Sequence, residues 1–253
     1  MDNFRYFLKL AYNGTNFHGW QLQPNAHTVQ FEIQNALSLL NGSQIQLTGA
    51  GRTDTGVHAR ILYAHYDSEV IIDSSELSRL VSKLNSFLPS SIAVLDAYRV
   101  KPDIHARFSA LTRTYRYYIS RQKDPFSIEF SWNYTADLDM DAMNEAALSI
   151  FDYKDFTCFS KSRTQTKTND CSIYESYFIL EGNMLIYHIK ANRFLRNMVR
   201  AIVGTLLEVG KGKIDINGFK QIIENGTRSD AGMSVPACGL FLEDIEYPAD
   251  IRL

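Results

Sequence analysis

The order in which strand-like and helix-like hydrophobic patterns follow one another most restricts the fold of this chain. Alternating apolar residues indicate a strand at residues 5–12, and a helical spacing of apolar residues begins after Thr28, which is expected to cap that helix. Asn41 and Gly42 are expected to end it. The patterns then predict a short strand at 45–47, a strand at 60–66, a helix opened by Ser74 or Ser75, and a strand at 92–99. The order β-α-β-β-α-β is the split βαβ arrangement of ferredoxin-like domains.

The second half of the chain repeats this order without repeating the sequence. The predicted elements are a strand at 113–120, a helix at 140–151 capped by Asp139, a hairpin of 172–180 and 184–191, a helix at 195–206, a shorter helix to Glu224 that Asn225-Gly226 ends, and a strand at 240–246. No Pro- or Ser-rich linker separates the halves. We therefore predict an α+β chain with two ferredoxin-like (RRM-like) halves, residues 1–108 and 109–253, whose antiparallel sheets are joined and enclose a cleft suited to a site.

Composition narrows the environment in which such a chain works. The net charge is −2, and the three cysteines form no CxxC pair, which argues against a disulfide framework or a thiolate metal site and fits a reducing cytosol. The N-terminus lacks a signal-peptide pattern, and no apolar run approaches the roughly 18 residues of a membrane span. We expect a soluble cytoplasmic protein without a membrane segment.

The charges are nevertheless segregated along the chain. Residues 99–123 carry seven Lys or Arg against the single acid Asp103, and residues 190–213 carry six against Glu208. Two solvated faces would explain this pattern, but a positive groove for a polyanion would explain it as well. The segregation favours a nucleic-acid partner without deciding the matter.

Residues 49–59, with the sequence GAGRTDTGVHA, form the most distinctive stretch for chemistry. Three glycines surround one carboxylate, Asp54, with Arg52 and His58 nearby, and such glycine density indicates a tight, shaped loop. Thr53 and Thr55 could hydrogen-bond to nearby backbone and fix the direction of the carboxylate. A plain turn between two strands is the simpler interpretation, since Asp is common in turns.

Several known sites fit this stretch poorly. The loop lacks the third glycine of the dinucleotide fingerprint and the lysine of a P-loop. Asp54-Thr55-Gly56 matches the core of aspartic proteases, which need two carboxylates, and the nearest second candidate is Asp230-Ala231-Gly232 unless two copies of Asp54 pair in a dimer. The histidines show no metal-binding spacing, so a metal enzyme is not expected. A lone carboxylate in a rigid loop suits an Asp nucleophile acting on an RNA base stacked on an aromatic ring.

Six motifs carry a resemblance to one family. GRTDTGVHA resembles the catalytic loop GRTDAGVHA of tRNA pseudouridine synthases of the TruA type, and YNGTNFHGWQLQ at 12–23 resembles that family's YDGxxFxGWQxQ. HARFSA at 105–110, RTYRY at 113–117, and the pair NMVR at 197–200 and GLFL at 239–242 are also similar to the family's motifs. Only Thr55, where Ala is usual, and Asn13, where Asp is usual, depart from the pattern.

The resemblance implies roles for five residues. Asp54 would be the nucleophile, Tyr115 would stack on the flipped base, Arg200 would pair with Asp54, Arg52 would help to extrude the nucleotide or hold its phosphate, and Leu240 would wall the base pocket. The residues alone also allow a core aromatic at Tyr115, a phosphate-binding or solvent-facing Arg200, an unspecific loop charge at Arg52 and a core Leu240.

The resemblance also implies the reaction and its partners. It implies isomerisation of uridine to pseudouridine at positions 38, 39 and 40 of the tRNA anticodon stem-loop, by a homodimer that needs no redox cofactor, ATP or metal. An RNA-binding module of RRM type without catalysis is the alternative, because it shares the element order. The sequence contains no RNP1-like run, which an RNA-binding module of this type would be expected to have.

Overall fold

The computed structural model describes residues 3–161 and 168–253, and its elements are mixed α and β as predicted. The chain forms two compact units, one made of Met1–Leu111 with Leu242–Leu253 and the other of Thr112–Phe241. The element order within each unit agrees with the sequence patterns. The finer description of two ferredoxin-like halves, with joined sheets and a cleft, stays a prediction.

The first unit contains the predicted β-α-β-β-α-β order. Its elements are β1 (Phe4–Tyr12), α1 (Val29–Asn41), β2 (Thr48–Gly49), β3 (His58–Ser68), α2 (Ser74–Phe87) and β4 (Ile92–Val100). β1 lies between β4 and β3 and is antiparallel to both, so that Leu8 faces Ala97 on one side and Ala64 on the other. These three side chains are buried, and they belong to the core of this unit.

The ends of the two helices follow from their capping residues. The Thr28 hydroxyl accepts a hydrogen bond from the Phe31 amide, and Gly42 ends α1 in the left-handed conformation with φ 70°. The start of α2 at Ser74 was predicted, and its cap is Asp73, whose carboxylate accepts from the Glu76 amide in a capping box. The predicted cap and stop of α1 are confirmed.

The predicted strand at residues 45–47 is wrong, because β2 is only Thr48–Gly49. Ile45 and Leu47 are buried as expected, but side chains of α1 bind the backbone here. The Ser38 hydroxyl accepts from the Ile45 amide at 3.0 Å, and the Gln34 side-chain oxygen accepts from the Leu47 amide at 3.1 Å. These bonds replace the ladder that a strand would need.

The second unit also follows its predicted order, with additions. Its elements are β5 (Thr112–Ser120), β6 (Trp132–Asn133), α3 (Met140–Ser149), β7 (Ile173–Glu181), β8 (Met184–Ala191), α4 (Met198–Gly210) and α5 (Ile216–Asn225), and β9 (Leu240–Glu246) leads back to the first unit, beside β3. β8 is antiparallel to β5 and to β7, and Gly182 with φ 58° closes the predicted β7–β8 hairpin. β6 is too short to give a periodic signal, and the sequence did not predict it.

Two helix boundaries in the second unit differ from prediction. α3 ends at Ser149 and continues as a single 3-10 turn, Ile150–Asp152, in place of an α-helix to residue 151. α4 begins at Met198 and not at Leu195, because Asn197 adopts a left-handed conformation with φ 67° that cannot continue an α-helix. Asp139 caps α3 as predicted, accepting from the Ala142 amide at 2.9 Å. Among the described residues, no helix has both the length and the apolar character needed to cross a bilayer.

Candidate active site

The loop that carries Asp54, residues 50–57, connects β2 to β3. Asp54 is the first residue of a tight turn within this loop. The Asp54 carbonyl accepts a hydrogen bond from the Val57 amide at 3.1 Å, and Gly56 has φ 75°. Asp54 is half-buried, while Arg52 and Thr55 on either side of it are exposed. The turn therefore fixes the backbone of Asp54 without enclosing its side chain.

Residues 12–20 hold this loop in place from a separate part of the sequence. The Trp20 amide donates to the Thr53 carbonyl at 3.3 Å, and the Gly56 amide donates to the Phe17 carbonyl at 3.3 Å. The hydroxyls of Tyr12 and Thr53 are 2.8 Å apart and form a buried hydrogen bond. Two of the motifs that carry the family resemblance thus form a single packed structure around Asp54.

Gly49 allows the Trp20 ring to pack closely against the chain that leads into the loop. A Cβ atom at Gly49 would lie 2.4 Å from Nε1 and 2.5 Å from Cε2 of the buried Trp20 ring, closer than heavy atoms can approach. A Cβ atom at Gly51 would meet nothing within 4 Å. Only the first of these two glycines is therefore required for the ring of Trp20 to reach the loop.

His58 supports the framework, a role that the sequence did not reveal. Its imidazole is fully buried, and Nδ1 accepts a hydrogen bond from the Gly14 amide at 3.0 Å. Because Nδ1 accepts this bond, it carries no proton, and the ring is held with Nδ1 directed toward Gly14. The only signal in the sequence was that His58 lies in the same motif as Asp54.

The two tyrosines of the RTYRY motif have different environments in the second unit. Tyr115 lies opposite Ile189 of β8 and is half-buried, and its ring meets that of Phe194 edge-to-face at 5.1 Å and 87°. Tyr117 is fully buried, donates its hydroxyl hydrogen to the Pro236 carbonyl at 2.8 Å, and has its pKa raised by burial. Tyr117 is thus a structural anchor, and Tyr115 is the member of the pair with ring surface left accessible.

Arg200 lies in the first turn of α4 and has a partner that the sequence did not indicate. Its Nε–H donates to the Val235 carbonyl at 2.7 Å, and the Val235 amide donates to the Arg200 carbonyl at 3.3 Å. Arg200 is half-buried, and this bond fixes the plane of its guanidinium. Val235 is an apolar residue in a connecting segment, so no pattern pointed to it.

The five predicted site residues divide between the two units. Arg52 and Asp54 lie on the loop of the first unit, and Tyr115, Arg200 and the buried Leu240 lie in the second. The structure places Arg52 just before the turn that Asp54 begins, on the same loop. The pairing of Arg200 with Asp54, and the pocket wall at Leu240, stay predictions.

Asp230, the candidate for the second carboxylate of a protease, has hydrogen-bond partners within its own turn. Asp230 accepts hydrogen bonds from the amide and the hydroxyl of Thr227, at 2.7 and 2.8 Å. These bonds hold the pKa of Asp230 below its usual value, whereas one acid of a proton-sharing pair has a raised pKa. Within residues 3–161 and 168–253, no three His, Cys, Asp or Glu side chains are grouped so that they could hold a metal ion.

Comparisons with known proteins agree with the motifs. The family model described as tRNA pseudouridine synthase matches residues 10–109 and 153–248. A protein named tRNA pseudouridine synthase A from Parabacteroides distasonis is 51% identical over 98% of this chain and 97% of its own length. Its namesakes from Bacteroides thetaiotaomicron (49% identity, 98% of this chain and 92% of the relative) and Halalkalibacterium halodurans (41%, 92% and 89%) are similar over nearly as much. On these matches, the chain belongs to the tRNA pseudouridine synthase family.

Proposed function

We propose that this protein isomerises uridine to pseudouridine at positions 38, 39 and 40 of the tRNA anticodon stem-loop. The observation that carries the proposal is the near full-length similarity to proteins named tRNA pseudouridine synthase A, 51% identical in one case. The motif residues around Asp54 support it, because they build one rigid loop with a half-buried carboxylate. A non-catalytic RNA-binding module would have no use for such a loop.

In this proposal Asp54 is the nucleophile. Its carboxylate attacks C1′ of the ribose or the uracil ring, and the N1–C1′ bond breaks. The uracil then turns within the site, and the C5–C1′ bond forms. The bond between Asp54 and the substrate breaks, the proton on C5 is released, and N1 takes up a proton. No electrons are gained or lost overall, so the chemistry needs only an oriented carboxylate and a means of holding the base.

The remaining site residues would position the nucleotide and the nucleophile. Tyr115 stacks on the base, and its edge-to-face contact with Phe194 holds the ring in one orientation. Arg200 pairs with Asp54 through its two terminal nitrogens, since Nε is directed to Val235. Arg52, which is exposed, contacts the phosphate of the extruded nucleotide, and Leu240 forms an apolar wall of the base pocket.

These roles require the two predicted halves to act together. Residues 1–108 would supply the nucleophile, and residues 109–253 would supply the stacking tyrosine and the pairing arginine, on either side of a cleft. We further propose that the enzyme works in the cytoplasm as a homodimer that binds tRNA. The homodimer and the cytoplasmic location come from the family resemblance. Sedimentation tests the homodimer, and cell fractionation tests the location.

Release of tritium from tRNA labelled at C5 of uridine tests the reaction itself. The protein is expected to release one tritium for each uridine converted at positions 38, 39 and 40. A matched transcript with cytidine at these three positions is expected to release none. Release that is equal from the two transcripts would contradict the proposed sites, and no release from either would contradict the proposed reaction.

A further inference from the structure

The motif HARFSA at residues 105–110 has no role in the proposed chemistry, yet it forms a turn that several hydrogen bonds stabilise. The amides of Arg107 and Phe108 both donate to Nδ1 of His105, at 3.0 and 3.3 Å. The His105 amide donates to the Ser109 hydroxyl, and the Ser109 amide donates back to the His105 carbonyl, each at 2.9 Å. The turn is closed on itself by four bonds.

The body of the first unit anchors this turn through Ala106, which is fully buried. The Ala106 amide donates to Nδ1 of His65 at 3.2 Å, and the Ala106 carbonyl accepts from the Tyr247 hydroxyl at 2.5 Å. Burial, with the nearby charge of Arg5, lowers the pKa of His65 to about 4. His65 therefore stays neutral and keeps its acceptor lone pair at physiological pH.

The same turn presents a large aromatic ring to solvent. Phe108 is 75% exposed, although its backbone is fixed on both sides. Its ring centroid lies 4.4 Å from that of His105 and 5.6 Å from the guanidinium carbon of Arg107. The guanidinium lies over the ring, so the turn displays an exposed aromatic side chain together with a positive charge. Because the backbone is fixed, little conformational entropy is left to lose on binding.

We propose that Phe108 and Arg107 form an RNA contact distinct from the pocket for the reacting uridine. An unpaired nucleobase stacks on the ring of Phe108, and the neighbouring phosphodiester lies near Arg107. Stacking on an aromatic side chain suits any unpaired base, because every base has a π face. The adjacent cation is complementary to the backbone phosphate of the same nucleotide. The inference rests on the proposed function, since it takes tRNA as the partner.

Affinity and rate measured on matched phenylalanine variants test this contact. Phe108→Ala is compared with Phe126→Ala, which removes an even more exposed ring (91%) from a turn in the second unit. Phe108→Ala is expected to weaken tRNA binding about 10- to 100-fold, as loss of one base stack does. The single-turnover rate at saturating tRNA should change less than about twofold, because the chemistry is elsewhere. Phe126→Ala should leave both quantities at the parent value.

Two further variants separate the parts of the contact. Phe108→Trp should restore affinity, since it keeps a stacking face. Arg107→Gln should weaken binding and lower the logarithmic salt slope by about 0.7, one single-strand phosphate contact. Equal affinities for Phe108→Ala and Phe126→Ala would overturn the proposal.

The same variant shows whether Phe108 contacts a second copy of the chain instead of RNA. If Phe108→Ala changes the sedimentation coefficient of the protein without RNA, the ring contacts a second copy of the chain, and the RNA contact is overturned. Because tRNA binding is measured apart from tritium release, a protein that binds tRNA through Phe108 but releases no tritium would refute only the proposed reaction.

Discussion

The loop that carries Asp54 and the helix that carries Arg200 are stabilised in different ways. The loop has no regular hydrogen-bond ladder, and residues 12–20 hold it through backbone bonds and close contacts. α4 is regular and almost wholly buried, and one side-chain bond from Arg200 to Val235 orients the charge it carries. The nucleophile is thus positioned by its backbone, and its proposed partner by its own side chain.

This difference determines which substitutions should matter in each region. In the loop, residues that never touch substrate can displace the carboxylate, because they set the path of the chain. In α4, neighbouring apolar residues contribute to stability, and only the guanidinium itself should affect the reaction. Four measurements can break or sharpen this comparison.

The largest expected effect is that of Asp54→Asn. Removing a nucleophile removes an interaction made only in the transition state, so the rate should fall on the order of 10³-fold or more while tRNA affinity stays within a few-fold. Single-turnover assays and filter binding give the two quantities. Thr55→Ala, which alters the exposed next residue of the same turn, is the control and should match the parent. Residual activity within about tenfold of the parent would rule out Asp54 as nucleophile.

The second measurement concerns the side chain of Arg200. Arg200→Lys keeps the charge but loses the planar fork and the Nε bond to Val235, so turnover should fall about 100-fold with little change in tRNA affinity. Arg200→Met should be worse, and it should also lower the free energy of unfolding if Asp54 loses its counter-charge.

A phosphate-binding Arg200 gives the opposite pattern. Arg200→Met would then weaken tRNA binding and reduce the logarithmic salt slope by about 0.7 to 0.9, with turnover at saturating tRNA preserved. Binding and single-turnover rate on the same two variants decide between the roles. The phosphate pattern would remove Asp54 as the partner of Arg200.

The third measurement tests whether backbone packing positions the loop. Gly49→Ala places a methyl group against the Trp20 ring and should lower the free energy of unfolding by about 1–3 kcal/mol, with a fall in turnover as the loop shifts. Gly51→Ala, two residues away in open space, should change stability by less than about 0.5 kcal/mol. Denaturant titration and turnover of both variants provide the comparison. Equal losses from the two would show that the contact with Trp20 is not what holds the loop.

The sequence predicted the regular elements well because local residues determine them. Thr28 and Gly42 fix the ends of α1 through bonds and dihedral angles that involve only their near neighbours. β2 was misplaced because Gln34 and Ser38, side chains of the preceding helix, bind the backbone that was expected to pair. A pattern of apolar residues contains no information about such a bond.

The candidate site was found by a different route. The motif around Asp54 was recognised through its resemblance to a family, whereas the residues that hold the loop in place, such as Trp20 against Gly49, are distant from it in sequence. The hydrogen bond from Arg200 to Val235 could not be predicted, because Val235 accepts it through its backbone carbonyl and not through its side chain. Contacts made by the backbone between remote residues leave no periodic trace in a sequence.

The smallest expected effect concerns Lys211 and Lys213 at the end of α4, which belong to the basic stretch 190–213. Both lysines bind Glu208, at 2.8 and 3.0 Å, so part of their charge is already balanced. If they still contact phosphate, replacing both with Gln should weaken tRNA binding and lower the logarithmic salt slope by less than the 0.7 to 0.9 expected for each fully available contact.

Glu208→Gln provides the matched test, because it leaves both lysines in place and removes their counter-charge. If the end of α4 faces the RNA, this variant should bind tRNA more tightly, and its affinity should fall more steeply with salt. An unchanged slope in Glu208→Gln and in the double lysine variant would place these charges outside the RNA-binding surface. A parent affinity that is flat between roughly 50 and 200 mM salt would contradict the positive groove as a whole. In that case α4 would contribute to the site through Arg200 alone, and the contrast with the loop of Asp54 would become sharper.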